Sequence, residues 1–353
     1  MSVRRARLAL TGLLAVVIAA ACGSSSGFPV TEPTTTVPPP APAVVQRLLP
    51  KGATPPLLLT YFFYWYDAQT RSHLRPQDGL PVHLPPSPTP TWRSDAWFRT
   101  QLRDMTAAGI DVALPVYWGD RPDEPWSAGG LPHLVAAREQ LATAGQKPPA
   151  IGMFYDTSTI HGVDLTTDSG IDAFYANIAS FFRAVPKRDW ALVAGRPVVW
   201  LFLPQDNRFD QRVFDAVYAR FPRDFGVRPY IVRATGWDCP NTTSGCAHPI
   251  RTDASYVWGT AQDGMQLTPL VASAGPGYDE RQIAGRRGTH VSRDGGAYYR
   301  ENLTAAVRSR RPFVAIETWN EIHEASGIGE TVEYGRQYID LTRSIVDARR
   351  AAP

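Results

Sequence analysis

Two glutamates near the C-terminal end, Glu321 and Glu324, stand three residues apart in the run Glu317-Thr318-Trp319-Asn320-Glu321-Ile322-His323-Glu324. If the chain turns helically there, positions i and i+3 share one side, with Cβ atoms about 5–6 Å apart. A retaining displacement at an acetal carbon uses two carboxyls roughly 5–5.5 Å apart. One carboxyl must hold its proton near neutral pH while the other is ionised. Mutual repulsion and a partly dry pocket give that split. His323 can hydrogen-bond either carboxylate or a substrate. The competing reading is a solvated acidic turn at a helix N-terminus, where glutamate is favoured anyway. A metal site is a weaker rival. No second histidine is near His323 and no His-Glu-x-x-His occurs, so neither a metal nor another cofactor is expected.

These residues need a scaffold that brings several chain segments to one place. Apolar runs of strand length recur at Leu57–Tyr66, Val112–Trp118, Ala150–Tyr155, Val198–Leu203, Tyr230–Thr235, Ser255–Thr260, Leu270–Ala274 and Phe313–Thr318. They are continuously apolar, as strands buried on both faces are. Helical spacing lies between them at 94–108, 131–144, 171–185, 209–221, 298–310 and 331–349, with Ser94 or Asp95 as an N-cap and Gly109 as a C-cap of the first. Eight strands alternating with helices predict an α/β fold, a (β/α)₈ TIM barrel, over residues 57–350. The rival doubly wound sheet lacks a Gly-x-Gly-x-x-Gly after its first strand. The stretches after strands five to seven look short of full helices, which predicts an irregular barrel on that side.

Barrel chemistry sits where the strands end. Here those ends pair aromatics with carboxylates or amides: Tyr64-Trp65-Tyr66-Asp67, Trp118 with Asp120, Tyr155-Asp156, Trp237-Asp238, Tyr278-Asp279 and Trp319-Asn320. A pyranose offers an apolar face for stacking and hydroxyls for polar groups. Tyr64, Trp65, Asp67, Trp118, Tyr155, Asp156, Trp237, Tyr278, Asp279, Trp319, Asn320 and His323 are therefore the expected substrate-binding residues, with Glu321 and Glu324 catalytic. For any single aromatic, ordinary packing is the alternative. The repetition around one barrel favours a carbohydrate or glycan partner.

Composition bounds the rest. The chain has 353 residues, a net charge of +3 and 20% charged residues, with hydrophobic residues at 44%, so it is globular rather than disordered. Three lysines stand among 36 basic residues. No basic stripe appears in the sequence, so no nucleic-acid partner is expected. Arg4, Arg5 and Arg7 precede an apolar run, Leu8 to Ala21, that ends at Ala19-Ala20-Ala21-Cys22. This reads as a lipoprotein signal over residues 1–22, with Cys22 lipidated and the chain exported to the outer face of the cell membrane. An ordinary cleaved signal is the alternative. Residues 23–56 begin Gly/Ser-rich and become Pro/Thr-rich, which reads as a tether. Cys239 and Cys246, the two remaining cysteines, are expected to pair as a disulfide in an oxidising compartment.

The segment Ile316–Ile328 resembles the strand-eight signature of glycoside hydrolase family 99, which reads Asn-Glu-Trp-His-Glu-Gly-Thr. Tyr61–Tyr66 with His73 resembles that family's aromatic first strand. Gln101-Leu102, Met105 and Ala108-Gly109-Ile110-Asp111 resemble its first helix and second strand. The family contains endo-α-mannosidases and endo-mannanases, so the resemblance implies retaining cleavage of an α-linked, mannan-like polysaccharide. By position, it makes Glu321 the base that deprotonates the sugar 2-hydroxyl and Glu324 the general acid and then base. The sequence departs from the signature at Ile322, where the family has Trp, and at Ala325-Ser326 in place of Gly-Thr. A non-catalytic carbohydrate-binding lipoprotein on the same barrel is the alternative.

Overall fold

The computed structural model describes residues 38–75, 78, 83, 89–239 and 249–351. Eight barrel strands occupy the expected segments: β1 (Leu57–Phe62), β2 (Val112–Tyr117), β3 (Ala150–Ile151 and Met153–Tyr155), β4 (Arg196–Leu201), β5 (Tyr230–Ala234), β6 (Ala254–Tyr256), β7 (Val271–Ala274) and β8 (Phe313–Ile316). All neighbouring barrel strands pair in parallel, from β6 through β5, β4, β3, β2 and β1 to β8 and β7. Register is set by Leu57 opposite Phe313 and Leu59 opposite Val112. Between β6 and β7 the described residues form no ladder. There Thr268 Oγ1 donates to Ser255 O at 2.6 Å, a side-chain bridge across the seam. The result is a nearly closed (β/α)₈ barrel.

The helices are α1 (Pro42–Leu48), α2 (Asp95–Ala108), α3 (Trp126–Thr143), α4 (Asp168–Ala184), α5 (Gln211–Phe225), α6 (Thr260–Asp263), α7 (Ala297–Arg308) and α8 (Gln337–Arg350). Helix α2 follows its sequence signals. Ser94 Oγ caps Trp97 N, and Gly109 ends the helix at φ +84°, a conformation that costs glycine little. Its inner stripe of Trp97, Phe98, Leu102 and Met105 is fully buried. Irregularity falls on the expected side. A single 3₁₀ turn follows β5, the four-residue α6 follows β6, and a short hairpin (Tyr278–Asp279 with His290–Val291) follows β7.

Two boundaries differ from the sequence reading. Helix α1 lies inside the stretch read as tether, with Leu49 buried and Leu48 O accepting from Ala194 N at 2.9 Å. Ordered structure therefore starts before residue 57, because Val45, Leu48 and Leu49 pack on the barrel. Helix α8 starts at Gln337 rather than near residue 331, since Thr331–Gly335 closes a tight turn first. Among the described residues no helix is long and apolar enough to cross a membrane.

Strands β1 and β2 are buried throughout, and aromatics fill the barrel. The Tyr61 ring lies 4.6 Å from Phe154 and 5.0 Å from Trp258, and Trp200 Nε1 donates to the Tyr61 hydroxyl at 3.1 Å. Phe62, one residue on, faces outward and stacks on Trp97. This pleat alternation decides which strand-end aromatics reach the mouth.

Candidate active site

The segment after β8 folds as a hydrogen-bonded turn, not the helical turn that the spacing suggests. Ser326 N donates to Glu321 O, Thr318 N to Ser326 O, and Gly329 N to Trp319 O. Glycine is required for the last approach: a Cβ on Gly327 or Gly329 would sit 2.9 or 3.0 Å from Trp319 O. Asn320 ties the turn to the end of β1, accepting from Phe63 N at 2.9 Å and donating to Phe63 O at 2.7 Å.

Glu321 is 5% exposed. Its carboxylate accepts from His323 N at 3.2 Å and meets the Tyr66 hydroxyl at 3.4 Å. Burial, then repulsion from Glu324, pushes its carboxyl up to about 8. Glu324 is more open and forms an ion pair with Arg286 from the β7 hairpin. Arg286 also donates to the Tyr278 hydroxyl at 3.0 Å and to Glu280 at 3.3 Å. Burial works against the Arg286 charge, yet Glu324 and the neighbouring acceptors hold it above its ordinary value. Burial thus favours the neutral form of Glu321, while Glu324 faces the Arg286 guanidinium.

Glu317 is a third buried carboxyl. It accepts from Gly259 N at 2.9 Å, Thr260 N at 3.0 Å and Thr260 Oγ1 at 3.2 Å. Burial raises it to about 8. Its contacts stitch the end of β8 to the start of α6 beside the unpaired seam.

A second cluster adjoins the first. His323 Nε2 lies 2.8 Å from His73 O, and the His323 and Tyr66 rings are 6.1 Å apart. Trp65 stacks on His73 at 4.6 Å with an interplanar angle of 6° and meets Trp118 edge-on. Trp118 Nε1 donates to Asp156 at 2.7 Å. Asp156 is raised by burial. Trp65, Trp118, Phe202 and Trp258 stay partly exposed at the ends of β1, β2, β4 and β6. They present ring faces and edges around the mouth.

The structure thus gathers Glu321, Glu324, His323, Tyr278, Trp65, Trp118 and Asp156, with Asn320 as a brace. Six other expected residues are corrected. Tyr64 is fully buried, faces α3 and donates to Ser127 O. Tyr155 is buried against Phe174 and accepts from Asn177. Trp237 packs among Phe209, Phe214 and Phe174 and donates to Phe202 O. Trp319 turns outward to Gln101 at 2.7 Å. Each lies on the helix-facing side of the pleat or under a loop, so it packs rather than presents a surface. Asp67 is also fully buried. It accepts from Thr70, Thr91 and Arg93, and these bonds outweigh burial and leave it lowered. Asp279 pairs with Arg281 outside the mouth. Sequence reasoning missed Arg286, Glu280 and Phe202, and did not assign Trp258 to the site. Only the aromatic at the end of β6 had a visible sequence signal.

Among the described residues no three His, Cys, Asp or Glu side chains converge as metal ligands would. Cys239 is disulfide-bonded. Its expected partner Cys246, like Cys22 and the signal segment, lies outside the described residues.

Residues 60–352 match a protein family described as Domain of unknown function (DUF5010). The chain belongs to that family. No curated protein matches it. Among solved structures, it is similar to the family 99 endo-alpha-mannosidase from Bacteroides thetaiotaomicron in complex with bis-tris propane. That match has 15% identity, 84% of this chain, 98% of the other and a TM-score of 0.61. A glycoside hydrolase-like protein matches at 13% identity over 85% of this chain and 98% of its own, with a TM-score of 0.59. At such identities the likeness is one of fold: this DUF5010 chain has a glycoside hydrolase-like TIM barrel.

Proposed function

We propose that this DUF5010 protein is a retaining glycoside hydrolase acting on an α-linked, mannan-like polysaccharide, with Glu321 and Glu324 as its carboxyl pair. The observation that carries the reading is a buried, raised Glu321 carboxyl beside the Arg286-paired Glu324, next to partly exposed aromatics. In the free protein burial favours a proton on Glu321, and Arg286 engages Glu324. A sugar entering the mouth competes with Arg286 for Glu324. Once that ion pair opens, the proton passes to the more exposed Glu324, which donates it to the leaving oxygen. Glu321, now ionised, serves as the base on the opposite side of the reaction. Trp65, Trp118 and Trp258 supply stacking faces, and Asp156 is poised at the rim. The barrel fold shared with an endo-alpha-mannosidase supports the substrate class.

We further propose export and anchoring through acylated Cys22, supported by the n-region, the apolar run and the small residues before the cysteine. The deciding experiment incubates the protein with α-mannans, α-glucans and arabinans and measures released oligosaccharides. Release from α-mannan is expected. Binding without release from any of them would leave a carbohydrate-binding barrel instead. Mass spectrometry of the mature N-terminus should find a diacylglycerol-modified Cys22, and an N-terminus cut elsewhere would remove the anchor.

A further inference from the structure

A groove of about 800 Å³ runs between α7 and α8. Arg300, Arg308, Arg310 and Arg349 line it, with Val307 and Ile345 between them. Of the nearby acids, Asp347 pairs with Arg343 and Asp111 with Arg350, each at 2.7 Å, while Glu301 is exposed beside Arg300. Among the described residues none of the four groove arginines has a carboxylate within ion-pair distance. Four like charges around one concavity repel each other and raise the local concentration of anions.

The groove opens at the end of the barrel where the strands begin. Arg310 immediately precedes the Arg311-Pro312 turn into β8, whose Pro312 O accepts from Leu57 N at 2.9 Å, and Arg350 donates to Pro56 O at 3.2 Å. The chain's three lysines, Lys51, Lys147 and Lys187, are exposed on the same end, in the turns that lead into β1, β3 and β4. Asp189 and Asp253, also at this end, are ion-paired to Arg138 and Arg196. The opposite end carries Glu317, Glu321 and Glu324. The groove arginines and the three lysines therefore concentrate positive charge on the face through which the chain enters. Between Cys22 and α1 lie about 20 residues.

We propose that this basic face docks on an anionic phospholipid surface, with headgroup phosphates seated in the α7–α8 groove, so that the strand-end site points away from the membrane. The proposal rests on the export reading above. The occupant is identified by charge and place: phosphate complements the guanidinium groups, and the lipid surface is the anion source closest to an acylated Cys22.

The test uses the chain from residue 23 onward, which contains every element described here and carries no lipid. Its binding is measured by sedimentation with phosphatidylcholine vesicles with and without phosphatidylglycerol. Each basic residue near an anionic surface is worth about fivefold in binding, so the triple Arg308→Gln, Arg310→Gln, Arg349→Gln should bind about a hundredfold more weakly. The lysine triple at the same positions should bind as wild type, which separates lost charge from lost folding. The triple Arg71→Gln, Arg75→Gln, Arg208→Gln, on the opposite face, should also bind as wild type. Equal binding to uncharged vesicles, equal loss in the two glutamine triples, or capture by soluble poly(glycerol phosphate) but not by vesicles would each overturn the proposal. Because the chain carries no lipid, these outcomes are independent of whether Cys22 is acylated.

Discussion

Glu317 is the place where the architecture makes its sharpest energetic demand. Its carboxyl is 4% exposed and accepts three hydrogen bonds from Gly259 and Thr260. Those donors favour the charged form, but burial wins and lifts the group from 4.5 to about 8. The folded protein therefore binds a proton there that the unfolded chain releases above about pH 4.3. Stability from this group is fully present below that pH and is lost as pH rises toward about 8. The slope is at most about 1.4 kcal/mol per pH unit, and the total at most about 5 kcal/mol. Glu321 carries the same sign. Glu317→Gln keeps an acceptor oxygen for the three donors and does not titrate. It should match wild type near pH 5 and become the more stable protein near pH 8, removing about 1.4 kcal/mol per pH unit from the slope. Glu317→Ala also removes the titration but strands buried donors and leaves a cavity, so it should cost about 2–4 kcal/mol near pH 5, a cost that shrinks by about 1.4 kcal/mol per pH unit as the wild type loses stability. Urea unfolding of the three proteins across this pH range measures both effects. A glutamine variant with the wild-type slope, or an alanine variant within about 1 kcal/mol of wild type near pH 5, would refute the clasp and its charge state.

A Cβ on Gly130 would lie 2.6 Å from the buried Tyr64 ring. Gly130→Ala should therefore lower stability by about 1–3 kcal/mol, read as a lower urea midpoint, and an unchanged midpoint would contradict the packing. Arg286→Gln removes the cation that pairs with Glu324 and lowers the Glu321 carboxyl. It should move the alkaline limb of the kcat/KM profile upward by about 1 pH unit or more, and an unmoved limb would separate Arg286 from the proton's path.

The strands were legible because each is buried on both faces and so reads as an unbroken apolar run. Helix α2 was legible from its cap and its stripe. The phase of the pleat was not. Tyr64 and Trp65 are adjacent aromatics of similar character, yet one packs under α3 and the other faces the mouth, and no local pattern distinguishes them. Asp67 looked like a sugar ligand, but its three acceptor bonds come from Thr70, Thr91 and Arg93, which turns it into a loop staple. Arg286 could not be found from spacing, because a hairpin of irregular sequence swings it across to a turn 38 residues later. The carboxyl pair itself was visible, although its scaffold is a hydrogen-bonded turn and burial raises the inner glutamate.

The most direct test of the account compares Glu324→Gln and Glu321→Gln on a natural glycoside and on one with an activated aryl or fluoride leaving group. General-acid assistance is worth about 10²–10⁴-fold and is needed only when the leaving group must be protonated. Glu324→Gln should therefore lose activity by that factor on the natural substrate and recover most of it on the activated one. Glu321→Gln should be slow on both, because forming the intermediate needs the base whatever departs. Equal losses on both substrates for Glu324→Gln, or near-wild-type turnover by Glu321→Gln, would contradict the assignment of this pair as the catalytic carboxyls.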